Sequence, residues 1–141
     1  MLDIEILTPE GITFSGQGNE VLIPTTQGVI GVRTGHLPLI APIRPGEIVI
    51  KQEGGKEERL AVAGGFAEVL SNQVHILADA AESSDALDEE LVAQAVEHAR
   101  QAKESATNQV ETDKATALIE ANLAKLKIAQ RKKARGERHY R

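Results

Sequence analysis

The side chains best suited to proton transfer or metal binding near neutral pH are four histidines, His36, His75, His98 and His139, scattered over 141 residues. No second histidine or carboxylate stands beside His36 at metal-ligand spacing. It reads as a loop histidine at an interface. Asp79 and Glu82 are close enough in sequence to suggest paired carboxylates, but no nucleophile or basic partner accompanies them. Gly64-Gly65 has neither the Lys-Ser/Thr of a phosphate-binding loop nor the further glycines of a dinucleotide fingerprint, and reads as a strand bend. With no cysteine in the chain, thiolate nucleophiles, disulfides and thiolate-ligated metals are excluded. These residues predict no catalytic set, no cofactor site and no metal site.

A chain without chemistry of its own works through its surfaces, and here the charge is segregated. The formal net charge is −5, composed of −6 in residues 1–84, −6 in residues 85–124 and +7 in residues 125–141. The basic end holds Arg131, Lys132, Lys133 and Arg135. Basic clusters bind nucleic acid when aromatic side chains interleave to stack on bases. The only aromatics are Phe14, Phe66 and Tyr140, and the rest of the chain is acidic, so no nucleic-acid partner is expected.

The elements that carry these charges fall into two kinds. Leu2, Ile4 and Ile6 alternate with Asp3 and Glu5, and Pro9-Glu10-Gly11 follows as a turn signal. Similar short runs recur at Val21 to Ile23, bounded by Pro24, then at Ile48 and Ile50, Leu60 and Val62, and Val74 and Ile76. Gly54-Gly55-Lys56 and Ser71-Asn72 divide neighbouring runs as tight turns. The pattern predicts an antiparallel β-sandwich or flattened barrel over residues 1–84, without a helix before residue 85. Its core must be built from Val, Ile, Leu and Ala, because aromatics are nearly absent.

At Ser83-Ser84-Asp85 the period changes. Asp85 is the expected N-cap, supported by acids in the first turn. Leu91, Ala95, Ala99 and Ala102 draw one stripe, and Ala117, Ala121, Ala124 and Ile128 draw a second after a break at Ser105 to Asn108. The mainly-β half is therefore followed, over residues 85–141, by a two-helix antiparallel hairpin with a basic tail, its second helix fraying near Gly136. An alanine seam buries little area at about 25 cal/mol per Å². The hairpin is expected to be weakly held and movable. A strand-like start and the lack of a run of about 18 apolar residues predict neither a signal peptide nor a membrane span.

Three stretches carry a family resemblance: Gly28-Val29-Ile30-Gly31-Val32-Arg33-Thr34-Gly35-His36-Leu37-Pro38-Leu39, Ala61-Val62-Ala63-Gly64-Gly65-Phe66-Ala67-Glu68-Val69, and Leu77-Ala78-Asp79-Ala80-Ala81-Glu82. Together they resemble the epsilon subunit of the rotary F-type proton-translocating ATP synthase, over essentially the whole chain. The resemblance implies a non-catalytic central-stalk subunit that binds the gamma subunit, sits on the ring of c subunits and restrains ATP hydrolysis through its helices. It further implies a Gly28 to His36 loop facing the ring, with Val29, Arg33 and His36 in contact. Arg131, Lys132, Lys133 and Arg135 would meet acidic parts of the alpha and beta catalytic subunits. A peripheral location on the cytoplasmic or stromal face of a bacterial plasma or thylakoid membrane follows from the same likeness. Some family members bind ATP through an Ile/Leu-Asp-x-x-Arg-Ala pattern. Here the matching stretch is Leu87-Asp88-Glu89-Glu90-Leu91-Val92, without the Arg and the Ala, so negligible ATP affinity is expected. Two other readings of the residues remain open: an independent adapter with a helical partner-binding arm, and an enzyme built on the sandwich, which would require a deep polar pocket.

Overall fold

Alternation of apolar and polar residues becomes alternation of buried and exposed faces in the structure, a computed structural model that describes residues 1–139, with side chains through Arg135. In β1 (Leu2–Thr8), Leu2, Ile4 and Ile6 are buried while Asp3 and Glu5 point outward. The further strands are β2 (Gly11–Gly18), β3 (Glu20–Thr25), β4 (Gly28–Arg33), β5 (Leu39–Ile43), β6 (Gly46–Lys51), β7 (Glu57–Val62), β8 (Gly65–Leu70), β9 (Gln73–Ala78) and β10 (Ala81–Ser83). The chain divides into two compact units, Met1–Ser83 and Ser84–Arg141.

In the first unit, hydrogen bonding orders the strands β10-β7-β6-β3-β5-β8-β9-β1-β2, with β4 paired to β3. The link between β3 and β5 is a single pair, Thr25 with Ile43, so the ten strands fold as two five-stranded sheets joined at that point. One holds β10, β7, β6, β3 and β4. The second holds β5, β8, β9, β1 and β2. Their inner faces close on one aliphatic core that includes Ile6, Ile23, Ile48, Ile50, Val69, Val74 and Ile76. Pairing is antiparallel except between β1 and β9. The direction of β9 is set by its tight turn from β8 at Ser71-Asn72, and it reaches β1 running the same way.

Three local expectations change. Pro24 does not bound a strand: it lies within β3 opposite Val29, and the chain continues to Thr25. A 3-10 turn, Glu53–Gly55, joins β6 to β7 well before residue 85, with Gly54 at φ 76° and Gly55 at φ 79°. Asp85 is not the N-cap, since Ser84–Ala86 forms a second 3-10 turn closed by Leu87 N–H donating to Ser84 O at 3.2 Å.

In the second unit, α1 (Glu89–Glu104) and α2 (Gln109–His139) pack on each other across a four-residue connection, Ser105 to Asn108. The N-cap of α1 is Asp88, in extended conformation, whose Oδ1 accepts from Leu91 N–H at 3.2 Å. Asn108 does the same for Glu111 N–H at 2.9 Å, and Glu111 Oε2 accepts from Thr107 N–H at 3.0 Å. α2 continues past Gly136 to His139. A lone glycine costs a helix only about 1 kcal/mol, too little to end one with strong formers around it.

The seam is shifted from the predicted stripes. Leu91 is 65% exposed, and Ala102 and Ala117 are exposed. Ala95, Ala121 and Ala124 are half-buried, and Ala99 and Ile128 are buried. Among the described residues the buried positions of α1 are Val92, Val96 and Ala99, and those of α2 are Ala115, Ile128 and Ala129. The predicted stripes overlap this seam at Ala99 and Ile128 but miss Val92 and Val96, because the larger valines gain more by leaving water and so set the rotation of α1.

Candidate interaction surfaces

Gly28 to Arg33 was expected as a loop and is a strand. Gly28 pairs with Thr25, Gly31 with Leu22 and Arg33 with Glu20, which makes β3 and β4 a hairpin turned at Thr26-Gln27. Val29 and Arg33 then share the outward face of β4, about 13 Å apart at the rise of an extended chain. Val29 is 62% exposed. Arg33 reaches Glu20 at 3.5 Å, and Lys51 reaches the same carboxylate oxygen at 3.5 Å. His36 stands beyond the Thr34-Gly35 turn, which is held by Gly35 N–H donating to Ser71 O at 2.8 Å. Its Nδ1 lies 2.7 Å from the carbonyl oxygen of Leu37, within donating distance. The neighbouring Leu37 and Ile40 are 81% and 70% exposed.

The other histidines and carboxylates are not gathered with these. His75 lies in β9 and His98 in α1, while the side chain of His139 is outside the described residues. Asp79 follows β9, its N–H donating to Gly64 O at 3.0 Å, and Glu82 lies in β10 opposite Ala61. Gly64 and Gly65 form the bend expected of them. Gly65 adopts φ 134°, and a Cβ there would come within 2.0 Å of Leu77 O.

At the open end of the hairpin the four basic residues separate. Arg131, Lys133 and Arg135 are exposed. Lys132 turns inward, donating from Nζ to Asp85 O at 2.6 Å and to Leu87 O at 3.4 Å, so this member of the predicted docking set is already engaged. Lys133 lies 3.9 Å from Glu89. These groups line a depression of about 540 Å³ with Asp88 and Glu90. An anion entering it would face three carboxylates against two lysines, of which Lys132 is committed to backbone carbonyls and Lys133 stands beside Glu89.

One surface was missed by sequence reasoning. The outward residues of the second sheet include Phe66, Leu77 and Ile12, which are 57%, 58% and 62% exposed. The available signal was an apolar residue at an outward position of each alternating strand, which the alternation pattern assigns to solvent.

Known proteins resemble the chain in both units. Residues 1–84 match the family model described as "ATP synthase, Delta/Epsilon chain, beta-sandwich domain". The ATP synthase epsilon chain of Moorella thermoacetica is 38% identical over 128 residues, covering 91% of this chain and 96% of its own. That of Shouchella clausii is 33% identical over 133 residues, covering 94% and 98%. Among solved structures, a chain of the Euglena gracilis mitochondrial ATP synthase, OSCP/F1/c-ring, superposes with a TM-score of 0.75 at 24% identity, covering 87% of this chain and 78% of that one. A chain of the Tetrahymena thermophila mitochondrial ATP synthase central stalk/c-ring gives 0.59 at 12% identity, covering 91% and 96%. At those identities the two structures speak for the fold alone. A two-sheet sandwich with a helical hairpin, matched by family model and by near-full-length relatives, defines a class of rotary-enzyme subunit. The chain belongs to the ATP synthase epsilon chain family.

Proposed function

We propose that this chain is a non-catalytic rotor subunit that binds the gamma subunit, couples it to the ring of c subunits, and restrains ATP hydrolysis through α1 and α2. The observation that carries this reading is identity to epsilon chains over nearly the whole length of both partners, helices included. The exposed pair Val29 and Arg33 on β4, with His36 beyond the turn, is the surface assigned to the c-ring. Arg131, Lys133 and Arg135 are the exposed charges assigned to acidic segments of the catalytic subunits, Lys133 lying beside Glu89, whereas Lys132 serves the hairpin itself. In this reading the chain is peripheral, on the cytoplasmic or stromal face of the membrane; no helix among its described residues is long and apolar enough to cross one. ATP hydrolysis by the assembled complex with and without residues 85–141 tests the regulatory part. Hydrolysis rises on deletion while synthesis persists; an unchanged hydrolysis rate refutes the restraint.

A further inference from the structure

Across β4, β3, β6 and β7 the register places Arg33, Glu20, Lys51 and Glu57 in one outward row, with the sign of charge alternating at each strand. The two cations that flank Glu20 both reach its Oε2 at 3.5 Å, Arg33 through Nη2 and Lys51 through Nζ. Glu57 is met by Arg59 at 2.6 Å, and Arg59 also holds Glu47 at 2.8 Å, so Lys51 is left to Glu20. The three groups around the shared oxygen differ in their access to water. The side chain of Glu20 is 18% exposed, that of Lys51 43% and that of Arg33 77%.

A carboxylate shared in this way can give up one cation without being left bare. An acidic group that draws Arg33 outward leaves Glu20 with Lys51 at the same oxygen. Without Lys51, the same step would strand a largely buried carboxylate, and an uncompensated buried charge is costly. Arg33 is the releasable member, because it is the most exposed of the three, and its planar fork of N–H donors matches a carboxylate in a two-bond grip that an ammonium cannot make. An anionic lipid surface suits it less, since residues 1–84 carry a net charge of −6 and repel an extended negative field, whereas one protein carboxylate is met at contact. We infer that Arg33 is the specificity-determining cation for a carboxylate on the ring of c subunits, and that docking exchanges its ion-pair partner: Arg33 passes from Glu20 to the ring, and Lys51 alone neutralises Glu20. Lys51 thereby sets the affinity without touching the ring. This rests on the proposed function for the partner's identity, and takes the chemistry of the contact from the shared carboxylate.

The test measures the affinity of gamma, alone and carrying the full chain, for the detergent-solubilised ring of c subunits. The wild-type chain tightens binding over gamma alone, and Arg33→Met removes about tenfold of that gain. Lys51→Met weakens binding about three- to fivefold, while Lys56→Met, which removes the same charge at the β6–β7 turn, changes it by less than about twofold. Glu20→Gln binds at least as tightly as wild type, and in that background Lys51→Met costs less than about twofold, because no carboxylate remains to be stranded. Phenylglyoxal labelling of Arg33 in the wild-type chain, independent of whether a variant folds, falls when the ring is bound. Absence of tightening by the wild-type chain overturns the functional reading and the inference with it. Tightening that survives intact in Arg33→Met, unchanged labelling, weakening by Glu20→Gln, or an equal loss from Lys51→Met in both backgrounds overturns the inference alone. A wild-type dimer in sedimentation, or binding to phosphatidylglycerol vesicles, that Arg33→Met abolishes overturns it in favour of a second copy or a lipid surface.

Discussion

Replacing Gly65 by alanine tests how the strands of the second sheet are held in place. Gly65 sits between Ile43 of β5 and Ala78 of β9, at φ 134°. The new methyl would come within 2.0 Å of Leu77 O and 2.9 Å of Ala78 Cα, both backbone atoms that cannot rotate away. The glycine-only conformation costs about 1–3 kcal/mol for an L-residue. Relieving the contact by about 1 Å loosens the ladder at its end, with a pair of hydrogen bonds at about 1 kcal/mol each. The total is about 3–5 kcal/mol, a large part of the roughly 5–15 kcal/mol that holds a domain. Gly54→Ala is the internal comparison. That residue also has positive φ, 76°, but an added Cβ meets nothing within 4 Å, so about 1 kcal/mol is expected. Native-state hydrogen exchange at Val74 and Ile76 during a urea titration reads both variants. A Gly65→Ala loss no greater than that of Gly54→Ala would show that the strand approach is not what requires glycine there.

Asp88→Ala removes the N-cap of α1 and lowers the stability of the first turn by about 1 kcal/mol, seen as faster exchange at Leu91 and Val92 with β-sheet amides unchanged. Lys132→Met releases the carbonyls of Asp85 and Leu87, lowers closure of the hairpin's open end by about 1 kcal/mol, and is recovered in part by Lys132→Arg; equal exchange at Leu87 in all three proteins would contradict the latch. Joint replacement of Arg131, Lys133 and Arg135 by glutamine raises hydrolysis by the assembled complex without altering the fold of the free chain, checked by activity and circular dichroism. Titration calorimetry with ATP detects no micromolar binding, because Leu91 stands where the family pattern has its arginine and Asp88, Glu89 and Glu90 line the depression beside it.

The alternation in β1 and β9, the turns at Ser71-Asn72 and Gly54-Gly55, and the break at Ser105 to Asn108 were legible because each depends on a few neighbouring residues. The status of Gly28 to Arg33 was not, since its glycines look like loop residues until β3 pairs with them. The stripe in α1 was legible only in part for a related reason: helix periodicity offers neighbouring faces, and only packing adds Val92 and Val96 to Ala99 and leaves Leu91 and Ala102 in water.

The sequence by itself determined the two halves, their opposite charge at the C-terminus and the aliphatic character of the core, all properties of composition and short-range period. Tertiary structure alone decided which polar groups remain available and which apolar ones line up. Lys132 is consumed by carbonyls 45 and 47 residues away. Phe66, Leu77, Leu7 and Ile12 become one row only through the pairing of β8, β9, β1 and β2. Such neighbours are created by strand register and helix packing, which no local pattern in the chain encodes.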